Sequence, residues 1–338
     1  MKILLVSDTN ESAISTAARA RARLIGADVV YAANFLSPLA LLDYIRVEKY
    51  GGVLFCWRGA LKDGLSLTRF YKDYLTLSQN IVFLCVVPDF LGLNPRFLSE
   101  EKKLLDSVHG YWVTSDQLKE SYSKVFSYNP PKGILHDLPD CDLISKNFSI
   151  TQESKVIWVG NSSWGKRYGY KDHKGLERFV KPVLKMMKNN TPNIEFEILD
   201  SRKIRISNQE VLRRISSSRV LLQTSDSEGT GLPILEALGL GVAPVTRDVG
   251  IAKELLIGEL SKFIVNTNLD DIENTIQIAI KFKNRELLTK TYDSFIRKAK
   301  SENIVWQMTQ IVLPWKRSNP VKIAKIKLAW AYRYFKSK

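Results

Sequence analysis

The chain has 338 residues, 45% hydrophobic and 25% charged, which are values of a folded protein and not of a disordered one. Its net charge of +15 points to an anionic partner without naming it. No apolar run approaches the roughly 20 residues that a bilayer span needs, and the opening Met1-Lys2-Ile3-Leu4-Leu5-Val6 meets Ser7 and Asp8 too early for a secretory leader.

In chain order, the first half alternates short apolar runs with longer mixed segments. Strands are expected over 2–7, 29–31, 53–57, 81–87, 110–114 and 133–136. Helices are expected over 12–24, 37–49, 66–76, 99–105 and 117–125. Strands without polar alternation, separated by helices, imply a parallel sheet covered on both faces. The polar segment 138–153 contains Pro139, shows no period and reads as an interdomain linker. A second α/β series then begins, with strands over 156–160, 194–199, 220–224, 242–246 and 263–265. Its helices are expected over 175–188, 209–215, 232–238, 251–256 and 269–282. The expected organisation is therefore an α/β chain of two doubly wound domains, 1–150 and 151–314, with a cleft between them, followed by a tail at 315–338.

Charge divides unevenly along this plan. Residues 1–150 carry 17 basic and 16 acidic groups, residues 151–314 carry 25 and 19, and residues 315–338 carry 8 and none. Over half of the excess sits in the tail. Drawn as a helix, 320–338 sets Lys322, Lys325, Arg333 and Lys336 in one stripe beside Ile323, Ile326, Trp330 and Tyr334. That pattern suits an anionic bilayer surface, or packing back onto the first domain. Cys56, Cys85 and Cys141 are too few and too scattered for a disulfide framework or a metal motif.

The segment richest in chemistry runs from Ser225 to Leu238. It follows an apolar strand and opens a helix. Gly229 and Gly231 permit a tight turn and close approach of a ligand, and Pro233 suits a first helical turn. The amides of Thr230, Gly231 and Leu232 then face outward at the positive end of the helix dipole, an arrangement that favours a diphosphate. Glu228 in the loop and Glu236 in the helix can face one pocket and accept hydrogen bonds from sugar hydroxyls.

This stretch resembles the glutamate-seven-glutamate motif of glycosyltransferase family four, the "group 1" enzymes with the GT-B fold. The likeness continues through Gly239, Gly241, Pro244-Val245-Thr246, Gly250 and Glu254. A second piece, Trp158–Arg167 followed by Lys171-Asp172-His173-Lys174-Gly175, resembles the part of that family that grips the donor diphosphate. Lys174-Gly175 fits the family pattern. Asn161 and Ser162 stand where the family has a basic residue, so Lys166 or Arg167 is expected to substitute. Where family members often carry a histidine facing the donor sugar, Pro88-Asp89 stands here, with His136-Asp137 as another candidate. His109 reads as a helix–strand junction, and Asn10 or Ser12 as a helix cap. Asp140-Cys141-Asp142 spells an Asp-X-Asp, but it falls in the linker and not after a buried strand, so no metal site is read there.

The resemblance implies a retaining glycosyltransferase that needs neither metal nor cofactor. It would use a nucleotide-diphosphate sugar as donor, bound mainly by the second domain, and a glycan or lipid-linked acceptor entering from the first domain, as in cell-surface polysaccharide synthesis. Glu228, Lys174 and Asp89 would be catalytic. Lys166, Lys174, Glu228, Gly229, Thr230, Gly231, Leu232 and Glu236 would hold the donor. A cytoplasmic protein, peripheral at the inner membrane face through 315–338, is expected. A sugar-nucleotide epimerase or phosphorylase on the same fold is the alternative. A nucleic-acid-binding protein would fit the charge, but no such motif is present and the first half is nearly neutral.

Overall fold

The architecture is that of a computed structural model, which describes residues 2–10, 12–36, 38–60, 81–149 and 151–310. The expected helix at 66–76 and the tail at 315–338 lie outside the described residues. The apolar runs form two five-stranded parallel sheets. The first holds β1 (Ile3–Ser7), β2 (Asp28–Tyr31), β3 (Gly52–Phe55), β4 (Val82–Val87) and β5 (Gly110–Val113), in the order β2-β1-β3-β4-β5. The second holds β6 (Glu153–Gly160), β7 (Glu195–Asp200), β8 (Ser218–Gln223), β9 (Ala243–Arg247) and β10 (Ile264–Val265), in the order β10-β9-β8-β6-β7. Both are wound alike: the second strand lies at one edge, then the first, third, fourth and fifth. The winding reverses between β1 and β3, and again between β6 and β8. Ligands of open α/β sheets collect at such places.

Strand composition explains why both faces of the first sheet are covered. Side chains alternate across a strand. In β1, Leu4 and Val6 enter one core with Val53, Phe55, Phe83 and Tyr111. Ile3 and Leu5 enter the other with Leu54, Leu84, Val86 and Ala18. Helices α1 (Ala13–Ile25), α2 (Pro38–Val47), α3 (Leu98–Leu105) and α4 (Asp116–Val125) flank this sheet. Ser12 caps α1 by accepting from the Ser15 amide at 2.9 Å, as its position suggested.

The second core is a single cluster built on Val156, Ile157, Trp158, Leu221, Leu235 and Val245. Around it lie α6 (Lys181–Asn190), α7 (Asn208–Ser217), α8 (Leu232–Gly239), α9 (Ala252–Leu255) and α10 (Leu269–Lys281). The expected helix at 175–188 begins as a π-turn over Leu176–Val180, because Val180 as well as Phe179 donates its amide to the Gly175 carbonyl.

Three features depart from the sequence reading. The segment 133–136 makes only an isolated bridge, Ile134 to Val113. The linker contains a helix, α5 (Cys141–Asn147), capped by Asp140. A 26-residue helix, α11 (Arg285–Gln310), had no counterpart. It starts on the second domain, where the Arg285 guanidinium donates to the carbonyls of Leu240 and Gly241. It ends on the first, where Trp306 meets Trp112 edge-on at 6.0 Å and Asn303 accepts from buried Arg21 at 2.6 Å.

Candidate active site

Between the two sheets lies a cleft of about 1280 Å³, lined from both domains at the C-terminal ends of their strands. The second domain contributes its side through three loops. After β8, the chain passes Glu228 and Gly229 into the start of α8. Gly231 is the N-cap residue and sits at φ 80°, a left-handed conformation that suits glycine. Gly229 is needed for another reason: a Cβ there would fall 1.8 Å from the Pro88 carbonyl of the first domain. The domains touch at this point.

The amides of Thr230, Gly231 and Leu232 have no protein acceptor among the described residues, and all three residues line the cleft. The expected anion cradle is therefore open. Beside it, Gln223 at the end of β8 lines the cleft with its Oε1 buried and unpartnered.

Lys174 is held at the opposite lip. Thr224 Oγ1 donates to the Lys174 carbonyl at 2.8 Å, and Gly175 packs so closely that a Cβ would lie 2.5 Å from the Thr224 carbonyl. Lys174 Nζ reaches Glu228 Oε1 at 2.5 Å and stands 5.0 Å from the Trp164 ring centre. Burial pushes the Glu228 carboxyl up, but the charge and hydrogen bond of Lys174 outweigh it, with help from Ser225 and His173, and hold the carboxyl below its ordinary range. Glu228 is thus a carboxylate at neutral pH. Burial likewise drives His173 down, so it is neutral; its Nε2 meets the Ser227 carbonyl at 2.9 Å.

Glu236 lies one turn below Leu232 and Pro233 on α8. It is buried and is not among the residues that line the cleft. Burial alone raises its pKa to about 7, and its carboxyl has no hydrogen-bond partner among the described residues.

Lys166 occupies a short 3₁₀ turn (Lys166–Tyr168); it is exposed and off the cleft wall. The loop where the family has a basic residue is pinned instead: Asp200 accepts the Ser162 amide at 3.0 Å and the Ser162 hydroxyl at 2.7 Å. The cleft cation on that side is Arg205, from the loop after β7, with Ile204 and Ile206 beside it. Sequence reasoning passed over Arg205. Its signal was a basic residue in the next strand-end loop, carried to the same place because Gly160 and Asp200 pair in register.

Asp89 is on the cleft wall, but both of its oxygens are engaged. Oδ1 accepts from Arg58 Nη1 and from the Leu91 amide; Oδ2 accepts from Trp57 Nε1 at 3.3 Å. Arg58 also reaches Glu101 at 3.1 Å. Asp137 lines the cleft, accepting from Thr230 Oγ1 at 3.1 Å. His136 is fully buried and does not line it. Its ring joins Glu302 of α11 at 2.6 Å and Glu254 of α9 at 3.1 Å. Burial opposes its protonation, but the two carboxylates prevail and raise its pKa to about 9. His136 is therefore an ionic link between domains and not a sugar contact. Asp140 caps α5 and pairs with Arg23 at 3.2 Å, and His109 Nδ1 accepts the Phe83 amide.

Residues 203–302 match a family model described as glycosyl transferases group 1. Solved structures share the architecture over more than nine tenths of the chain. HepE of Anabaena, solved in complex with UDP, is 12% identical over 93% of this chain and 100% of its own, with a TM-score of 0.62. Sucrose-phosphate synthase of Thermosynechococcus elongatus is 13% identical over 92% and 98%, with a TM-score of 0.63. The trehalose-6-phosphate synthase OtsA is 9% identical over 92% and 98%, with a TM-score of 0.65. The chain has the GT-B fold, and its second domain carries the group 1 glycosyl transferase match. No curated protein sequence matches it. In GT-B terms, the cleft just described is the interdomain groove, and the loop from Ser227 to Gly231 borders its second-domain wall.

Proposed function

We propose that this GT-B chain is a retaining, metal-independent glycosyltransferase. It moves a sugar from a nucleotide-diphosphate donor to a glycan or lipid-linked acceptor of surface polysaccharide synthesis. The observation that carries the reading is the conjunction at α8: three open amides, a Lys174–Glu228 ion pair at their mouth, and an unpartnered buried Glu236 behind them. The donor diphosphate lies across the amides of Thr230–Leu232 with Lys174 and Arg205 on either side, and Gln223 meets it from below. The base rests on Ile204 and Ile206, Glu236 accepts the ribose hydroxyls, and Glu228 accepts hydroxyls of the donor sugar.

As the anomeric bond breaks, charge grows on the departing diphosphate. Lys174 and the fixed amides stabilise it there, where preorganised donors act most strongly. Lys174 must then exchange Glu228 for phosphate, which frees Glu228 for the sugar. Asp89 acts from behind, by holding Trp57. Retention and independence of metal come from the family resemblance; the cations supplied by the chain itself support the second. Lys166 reaches the donor in this reading only by swinging in from solvent.

The basic tail at 315–338 binds an anionic surface and keeps the enzyme peripheral at the cytoplasmic membrane face. Exposed Val305 and Met308 on the turn of α11 that leads to it support this, and no helix among the described residues is long and apolar enough to cross a bilayer. The test is a thermal-shift screen of UDP-, ADP- and GDP-sugars with and without magnesium. One nucleotide class should raise the melting temperature equally in both conditions. Glu228→Ala should abolish transfer while still binding the nucleotide. No shift with any nucleotide sugar, or full transfer by Glu228→Ala, defeats the reading.

A further inference from the structure

The first-domain wall of the cleft, the side from which the family resemblance has the acceptor enter, has its own chemistry. We propose that it is an acceptor subsite for a neutral pyranose, stacked on the indole of Trp57 and bonded through its hydroxyls to Asp8 and Asn10, and that it disfavours sugar phosphates. This rests on the glycosyltransferase reading and names the acceptor class within it.

Trp57 is half-buried on the cleft wall. Its ring packs on Gly59, where a Cβ would fall 2.2 Å from the ring carbons, so only glycine lets the indole lie there. Its Nε1 is fixed by Asp89, which is fixed in turn by buried Arg58 and the Leu91 amide. The ring is therefore preorganised, and Pro88 and Leu91 continue the apolar surface beside it. A rigid aromatic face is what the C–H face of a pyranose ring recognises, because the ring carbons are apolar while the hydroxyls point outward.

The polar partners are also in place. Asp8 Oδ1 accepts from the hydroxyls of Ser7 at 3.0 Å and Ser12 at 2.5 Å, while Oδ2 has no partner among the described residues. Asn10 Oδ1 accepts from Arg19 at 3.2 Å, which directs the Asn10 amide NH₂ elsewhere. Both residues line the cleft. One free acceptor and one free donor match a pair of sugar hydroxyls, each of which both gives and takes a hydrogen bond.

Charge decides between sugar and sugar phosphate. The described part of this wall presents the carboxylates of Asp8, Asp89 and Asp137 and a single cation, Arg19. The cations that balance Asp89 and Asp137 are Arg58 and Arg21, and both are buried behind the wall. Arg19 is already committed to the Asn10 carbonyl at 2.8 Å, to Ser15 and to Tyr31. A phosphate dianion would meet carboxylates here, with no cation of this wall free to receive it among the described residues.

The experiment is saturation-transfer NMR on the full chain, with and without UDP, using methyl β-glucopyranoside, methyl α-mannopyranoside and glucose 6-phosphate as probes. At least one methyl glycoside should receive saturation, strongest on one ring face, and glucose 6-phosphate should neither bind nor displace it. Trp57→Leu keeps apolar volume without an aromatic face and should weaken glycoside binding roughly tenfold, whereas Trp57→Phe should keep most of it. UDP affinity should be unchanged in both variants, which also reports that they fold. Absence of binding by both glycosides, equal binding by wild type and Trp57→Leu, equal loss in the Leu and Phe variants, or displacement by glucose 6-phosphate overturns the proposal. Glycoside binding without any UDP binding would instead sink the donor assignment and leave this subsite standing.

Discussion

Replacing Glu236 by glutamine separates stability from function at a single atom. In the folded chain, burial raises the Glu236 pKa from 4.5 to about 7 with no compensating partner. The group binds more protons folded than unfolded between those values, so stability falls as pH rises through the window. The penalty is absent below pH 4.5, grows between 4.5 and 7, and is complete above 7. At about 1.4 kcal/mol per pH unit, it reaches about 3 kcal/mol. Glu236→Gln removes the charge and keeps the shape. Without ligand, the variant should therefore melt higher than wild type at pH 8, by about 4 °C for a chain of this size melting as one unit, and the two should melt alike at pH 4.5. If the carboxylate receives ribose hydroxyls, UDP should bind the variant about ten- to a hundredfold more weakly, as expected for lost hydrogen bonds to a charged group. Thermal unfolding at the two pH values, with and without UDP, measures both effects. A variant that is less stable than wild type at pH 8 would mean that Glu236 has a favourable partner. Unchanged UDP affinity would remove it from the donor site.

Lys174→Met leaves the half-buried Glu228 carboxylate without its counter-charge and should cost about 1–3 kcal/mol of stability as well as UDP affinity. Adding Glu228→Gln should restore the melting temperature but not the affinity, and recovery of both would refute a phosphate role for Lys174. Arg205→Gln should lower UDP affinity about ten- to a hundredfold and leave UMP binding nearly unchanged. Lys166→Gln should change neither, and calorimetric titration distinguishes the two. His136 has a folded pKa raised from 6.5 to about 9. Its contribution to stability is therefore full below pH 6.5 and lost as pH rises through 9, about 3 kcal/mol in all. Melting curves of wild type and His136→Gln should converge above pH 9; a constant gap across pH would show that His136 acts by packing alone.

The strands and the loop at α8 were legible because their signals are local. Continuous apolar runs such as Val82–Val87 can only be buried strands between helices, and glycine, proline and glutamate at fixed offsets mark the start of α8 within a few residues. The placement of Lys174 at the cleft was legible for the same reason. The parts that were missed depend on distant pairing. Arg205 reaches the cleft because β6 and β7 end together, which the spacing between positions 161 and 205 does not reveal. Asp89 looked like a free acid because its partner, Arg58, comes from the preceding strand end. His136 stood as one candidate for a sugar contact, yet its partners Glu254 and Glu302 lie more than a hundred residues on. Helix α11 did carry a signal in the stripe Leu288, Tyr292, Phe295, Ala299, Asn303 and Trp306. That stripe is interrupted by one asparagine, because Asn303 meets the buried Arg21 guanidinium before Trp306 enters the first-domain core.

Because Trp306 and Asn303 complete the interior of the first sheet, that sheet is not a self-sufficient folding unit even though its strands are contiguous. A fragment cut at residue 150 would lack the indole that covers Trp112 and would leave the Arg21 side chain, buried as it is, short of its shortest hydrogen bond. The chain must thus finish its last described helix before its first-formed strands are fully sealed. Synthesis order and assembly order run in opposite directions, and the two halves are expected to melt together, not one after the other.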